Sequence, residues 1–458
     1  MQRGQIAYPE TRTVDQSDVY RGVTVNDPYR WLENDVREDP EVAAWVMAQN
    51  AVSFSYLDTL PGRDAIRARM KQLWDYEKFG LPKKKGDRYF YTVNDGLRNQ
   101  GVLYVQEGLC AAPRLLIDPN GWSEDGATAL DSYFPREDGS LVAYLIQDGG
   151  SDWRTAKVLD VNTGAVLPDA LEWVKFSGLS WTKDGSGFFY SRYPAPEAVE
   201  AFQGLNINQK VYFHRLGETQ EQDRVVYERP QNPDHGFSAE VSDDGRYLVI
   251  TVWKGTDARY EVVLIDLENL KEPPFPLVSG FENDYSYIGN DGAAFFFRTD
   301  KDAPKGRIVA TDIAASSPAW REIAPESEGV LASASLIGGR IVANYVEDVK
   351  SVVRILEKDG ASVADVPLPG LGSATGFGGS ADDAETFYEF SSFNVPGAIY
   401  RYDVSSGETS VFKQAETPFD PSAYEVSQIF YKSKDGTRVP MFIAHKKGLD
   451  LSAGAPAL

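Results

Sequence analysis

The sequence predicts a mainly β protein, a seven-bladed β-propeller, on three observations. A turn-like cluster followed by a short aromatic and β-branched run recurs seven times. The runs are Lys84–Val93, Arg136–Leu145, Thr182–Ser191, Ser242–Thr251, Gly289–Arg298, Leu336–Tyr345 and Ser380–Phe390. Consecutive runs begin roughly 45–60 residues apart, the spacing of four-stranded blades. Asp-Gly pairs stand in several of the turns, where a hairpin needs positive φ. A blade cannot bury both of its faces alone, and stacking blades in a ring covers them. The crowded ring centre is expected to receive the turn-linked run of each blade. The first and last repeats each carry their own strands, so closure without strand exchange is expected.

Residues 1–78 do not follow the repeat. Asp39-Pro40-Glu41 reads as a helix start, with Asp as N-cap and Pro at the first helical position. Val42, Trp45, Val46, Val52, Tyr56 and Leu60 then recur near helical spacing until Pro61-Gly62. A second short helix carries Ile66, Met70, Leu73 and Trp74. Residues 79–418 hold the repeats, each reading strand, tight turn, strand. The third repeat carries an insertion around Tyr193–Gly204, and the seventh has Asp383-Ala384 where others have a turn glycine. In residues 419–458, Val426–Tyr431 and Val439–His445 read as two strands joined by Lys434-Asp435-Gly436-Thr437. The last residues, Ala455-Pro456-Ala457-Leu458, show no capping pattern, so this segment reads as a truncated domain.

The formal net charge of −22 and pI near 4.6 argue against nucleic acid as a partner, since phosphates demand a basic surface. The same charge disfavours anionic membranes. No apolar stretch reaches the ~20 residues that span a bilayer, and the first residues have no hydrophobic leader core. The single cysteine, Cys110, excludes an intrachain disulfide and fits a reducing, cytoplasmic compartment. A soluble protein is expected, periplasmic or secreted if a leader has been removed.

Catalytic machinery is not legible. An α/β-hydrolase needs its serine at a G-x-S-x-G elbow, and the nearest match, Gly378-Gly379-Ser380-Ala381-Asp382, lacks the final glycine. His214 lies in a strand-like run and reads as structural, His235 follows Pro233-Asp234 in a loop, and His445 ends a strand. There is no H-E-x-x-H, no Cys/His cluster and no P-loop, so neither a metal nor a cofactor is expected.

The flanks carry a resemblance. Tyr8-Pro9, Val25-Asn26-Asp27-Pro28-Tyr29-Arg30-Trp31-Leu32-Glu33, Trp45–Asn50 and Trp74-Asp75-Tyr76 resemble the N-terminal signature of the prolyl oligopeptidase family of serine peptidases. Gly150-Ser151-Asp152-Trp153 and Val174-Lys175-Phe176-Ser177 are similar to its early blades, and Gln428–Tyr431 through His445–Gly448 to its return into the peptidase domain. The resemblance implies a propeller inserted into an α/β-hydrolase domain, of which residues 1–78 and 419–458 would supply only the N-terminal helices and first strands. It implies a propeller that gates short proline-containing peptides to a C-terminal peptidase domain, with serine, aspartate, histidine and an oxyanion-hole tyrosine beyond Leu458. The 458-residue chain alone is then expected to be inactive. The family's pocket upstream of the proline carries over to Phe176, which also fits a core aromatic, and to Val226. A monomer is expected. Two other readings stay open: a stand-alone propeller used as a binding or scaffold module, and a related oligopeptidase with a different residue preference.

Overall fold

The computed structural model describes residues 6–196, 204–316 and 318–454. Most of the expected insertion Tyr193–Gly204, and the terminal Ala455–Leu458, lie outside the described residues. The chain divides into two compact units. One runs to Trp74 and takes in the segment after Pro194; the other holds Asp75–Pro194 and Asn206 onward.

In the first unit, Ser17–Tyr20 and Val23–Asn26 form an antiparallel hairpin, followed by helices α1 (Pro40–Asp58) and α2 (Arg63–Trp74). Asp39 caps α1 as its sequence predicts: its carboxylate accepts from the backbone N–H of Glu41 and Val42, with Pro40 behind it. Arg30 pairs with Asp18 and Asp27, tying the hairpin to the chain leading into α1. The Arg12 guanidinium pairs with Glu41 at 2.6 Å and covers the Trp31 ring at 4.7 Å, fastening the N-terminal arm. Met47, Ile66, Met70 and Trp74 remain exposed on the helices.

The second unit is built of antiparallel sheets. Each turn-linked run becomes the second strand of its repeat: Arg88–Asn94, Leu141–Gln147, Gly187–Arg192, Tyr247–Lys254, Ala294–Thr299, Arg340–Glu347 and Glu385–Ser391. A strand paired on both edges and packed on both faces needs apolar side chains at nearly every position. That is why these runs are the most aromatic in the chain; Phe90, Tyr91, Phe188, Phe296 and Tyr388 are all but inaccessible. The strand nearest the axis is the preceding one, such as Ala129–Pro135 or His235–Val241, since those strands line the central cavity. The expectation that the turn-linked run lies innermost is thus corrected: the innermost strand has one free edge toward the channel and tolerates polar residues.

The expected ring of seven separate blades is also corrected. Five repeats form sheets of their own, one five-stranded and four four-stranded. The second and third repeats instead share a single seven-stranded sheet through the 16-residue strand Val166–Trp181. Between Val166 and Trp181 the sequence has no polar turn cluster of the kind found at Glu228–Asp234, so strand pairing continues through a bulge rather than breaking. The α/β-hydrolase part of the expected fold is not seen either. Among the described residues the flanks form helices and two-stranded hairpins, and every strand pair is antiparallel.

The turns explain the register. In the second repeat Gly139 adopts φ +67°, its N–H bonds Arg136 O, and Asp138 Oδ1 accepts from the N–H of Ser140. This is a type I turn closed by a left-handed residue, which glycine adopts without a Cβ penalty. The C-terminal hairpin, Tyr424–Lys432 with Arg438–Lys446, is held to the sixth repeat at one turn: Asp348 pairs with Arg438 at 2.7 Å, and its carbonyl accepts from Gln428 Nε2.

The first and last sheets meet without sharing a strand. Buried Tyr89 and Tyr91 of the first pack against Phe387 and Ile399 of the last, with Phe412 edge-on to Tyr91 at 5.6 Å. Within this contact lies a buried carboxylate, Glu385, which accepts from Tyr89 Oη at 2.6 Å, pairs with Lys84 Nζ at 3.1 Å and pairs with Arg401. Burial alone would raise its pKa, but Tyr89, Arg401 and Lys84 outweigh burial and hold it below the ordinary carboxylate range. A depressed carboxylate pKa contributes stability above the unfolded value of about 4.3, and that stability is lost as pH falls through the folded value. Glu385→Ala leaves Lys84 without its carboxylate and Arg401 with only Asp403 at 3.5 Å, and the expected loss is about 3 kcal/mol in urea denaturation at neutral pH, shrinking as the medium is acidified. A loss below about 0.5 kcal/mol would mean that the aromatic contact alone closes the ring.

Candidate functional site

Two places in the second unit bring chemistry-bearing side chains together. The first is the bulge in the shared strand. Trp173 and Phe176 adopt φ +62° and +53°, and the register with the next strand slips between Val174 and Leu179. Non-glycine residues in this region are strained and concentrate where function demands it. The bulge turns Val174 and Lys175 inward and leaves Phe176 41% exposed. The Lys175 ammonium lies 4.8 Å from the Trp153 ring and 5.3 Å from the Phe176 ring, with Asp152 at 3.8 Å. Burial pushes its pKa down, against the pull of Asp152. Trp153 in turn meets Trp173 edge-on at 5.8 Å.

Phe176 has a partner that the sequence reading missed. Its ring meets Trp253 edge-on at 6.1 Å. The Trp253 indole lies against Gly236, where a Cβ would fall 2.0 Å from the ring. Glycine inside a strand signals close approach of another group, and Gly236 within the strand His235–Val241 was that signal. Val226 sits elsewhere, half-buried against the core cluster of Phe189, Val211, Phe237 and Ile250.

The second place is the channel at the ring centre, a cavity of about 520 Å³ walled by Leu81, Phe134, Leu179, Trp181 and Phe387. Four lysines line it, and each has company. Lys83 Nζ donates to Tyr133 O at 2.7 Å under the Tyr133 ring, and Lys84 pairs with Glu385. Lys85 and Lys183 share Glu137 at 2.7 and 3.8 Å. Asp243 accepts from the Ala381 N–H at 2.7 Å, a bond from the fourth repeat to the last. Glu240 lines the same cavity and is exposed in it; desolvation by the protein around it, with Asp243 nearby, pushes its pKa up to about 7.

The remaining candidates are accounted for structurally. Ser380 Oγ lies 3.4 Å from Lys85 Nζ, but that ammonium is ion-paired with Glu137 and so is no base for a serine nucleophile. Cys110 is exposed. His445 Nδ1 lies 2.9 Å from Lys446 O. His235 packs on the Phe281 ring, and burial beside Arg229 lowers its pKa. His214 is fully buried: Nδ1–H donates to Asp223 at 2.7 Å and Nε2–H to Asp169 at 3.1 Å. Asp223 also accepts from Tyr190 Oη, and Asp169 from the Gly217 N–H.

Burial would keep the His214 ring neutral, but the two carboxylates outweigh it and raise its pKa. The stabilisation is therefore full below the unfolded value of about 6.5 and is lost as pH rises through the folded value. His214→Ala strands two buried carboxylates, with an expected loss of about 3–5 kcal/mol by chemical denaturation. The wild type should lose stability on the alkaline side, and a stability that rises there would contradict the charged pairing.

A family model described as "Prolyl oligopeptidase, N-terminal beta-propeller domain" matches residues 9–415. The chain is 38% identical over 454 residues to a prolyl endopeptidase of Elizabethkingia meningoseptica, covering 99% of this chain and 63% of that protein. It is 31% identical to a dual function macrocyclase-peptidase of Amanita bisporigera, covering 99% and 66%. A solved structure from a study of two prolyl endopeptidases superposes with a TM-score of 0.76 at 41% identity, over 96% of this chain and 64% of that one. Prolyl oligopeptidase B of Galerina marginata, bound to a 25mer macrocyclization substrate, superposes with a TM-score of 0.85 at 29% identity, over 97% and 66%. The chain thus spans a little under two thirds of the length of the first relatives it matches. No helix among the described residues is long and apolar enough to cross a membrane.

Proposed function

The chain belongs to the prolyl oligopeptidase family, and on that premise we propose that it is the substrate-gating propeller portion of a serine endopeptidase that cleaves short peptides after proline. The observation that carries this is the family match along residues 9–415, joined to a channel whose size suits a peptide segment and not a folded domain. Phe176, exposed on its strained bulge and backed by Trp253, is the contact for substrate residues upstream of the proline. Val226, half-buried against the core cluster that includes Phe237, keeps its side of the pocket apolar. Residues 79–418 form the gate, and residues 1–78 and 419–458 belong with a peptidase domain. A reducing compartment fits the unpaired, exposed Cys110.

Acyl transfer after proline needs a nucleophile, a base and oxyanion donors. The 458 residues contain no G-x-S-x-G, and Ser380 has an ion-paired lysine beside it. The 458-residue chain alone should therefore not turn over a chromogenic proline reporter, while the gene product that carries it should do so and be blocked by a serine-directed inhibitor. Phe176→Ala in that product should raise KM by about threefold to tenfold with kcat little changed, because it removes binding shared by ground and transition states. Cleavage after arginine or lysine instead of proline would overturn the reading.

A further inference from the structure

The channel holds one charge that nothing in the fold uses. Lys83, Lys84, Lys85, Lys183, Glu137, Asp243 and Glu385 all have partners from other repeats. Glu240 has none among the described residues, although it lines the same cavity. Glu240 is solvent-exposed within the cavity, so its carboxylate is open to a ligand and, without one, is met by water. Neutralisation by its own repeats would have been easy, since Lys85 and Lys183 already reach this wall. An ionised carboxylate only accepts, so its ligand must bring N–H or O–H donors, and a cationic N–H group makes the strongest such bond. The walls beside it, Phe134, Leu179 and Trp181, are apolar and suit side chains or a proline ring.

We propose that Glu240 is the counter-ion for the cationic group of a peptide lying in the channel, its amino-terminal ammonium or a basic side chain. The proposal rests on the peptide-gating reading and names what the channel recognises. A peptide that enters end first brings its ammonium to Glu240 while its first side chains lie on the apolar walls. Charge-assisted N–H···O bonds then replace the missing partner. Asp243, in the turn that follows its strand, and Tyr287 of the next repeat interact with Glu240, while Lys85, Lys183 and Glu137 interact with Asp243; the surrounding protein and Asp243 raise the Glu240 pKa to about 7.

The test is calorimetric titration of the 458-residue chain with a short, C-terminally amidated, proline-containing peptide. Three forms are compared: free amino terminus, acetylated, and acetylated with one arginine. At about pH 7.5 the terminal amine is largely protonated and Glu240 largely ionised, and the free-amine peptide should bind about five- to tenfold tighter than the acetylated one. Glu240→Gln should erase the difference, and so should about pH 6, where the carboxyl carries its proton. Recovery of affinity by the arginine form would assign the cation to a side chain, and no recovery to the terminus. A wild type that ignores acetylation, or a Glu240→Gln chain that still discriminates, would overturn the proposal; the acetylation contrast needs no variant to fold. Peptide that binds without discrimination leaves the gating reading standing, whereas failure of every peptide to bind counts against both.

Discussion

The architecture depends on closing a ring of sheets with side chains alone. Each sheet buries its faces only against its neighbours, so the last must find the first, and no shared strand enforces it. The contact solves this by shape and charge together. Tyr89, Tyr91, Phe387 and Ile399 exclude water, and Glu385 sits inside them with Tyr89, Lys84 and Arg401 around it. Apolar contact is non-directional, while a buried carboxylate tolerates few geometries, so the pair sets both adhesion and register. Lys84 extends the arrangement inward, since its own strand lines the channel. Closure and channel wall are therefore one construction.

The second and third repeats use the opposite device. Their common strand removes an interface that would otherwise need packing, and His214 with Asp169 and Asp223 pins its outer part. The strain of continuity is concentrated at Trp173 and Phe176, and that is where the aromatic face appears. The acidic chain meanwhile gathers four lysines on the channel wall and compensates them locally, which leaves Glu240 conspicuous.

Much of this was legible in the sequence. Asp39-Pro40 marks the start of α1, and the turn-linked runs mark every second strand, because those strands bury both faces and need apolar side chains throughout. What the sequence hid is relational. Strand continuity from Val166 to Trp181 depends on a bulge between Val174 and Leu179 that local patterns do not encode. The innermost strands are more polar than expected because one edge faces a channel, which composition cannot reveal. Phe176 was found by resemblance, while Trp253 was missed because its meaning lies in Gly236, seventeen positions away and paired across the sheet. Glu240 looks like any surface acid until its neighbours are seen to be paired elsewhere.

The central claim is that peptide is received by the Phe176 bulge and the inner strands of the ring. Hydrogen exchange of the 458-residue chain, with and without a saturating proline-containing peptide, tests it most directly. Slowed exchange should fall on residues 173–183 and 240–243, which carry the bulge and the channel wall. Outer strands such as Arg114–Ile117 and Phe275–Val278 should be unchanged. Protection confined to those outer strands, or none at saturation, would contradict the account.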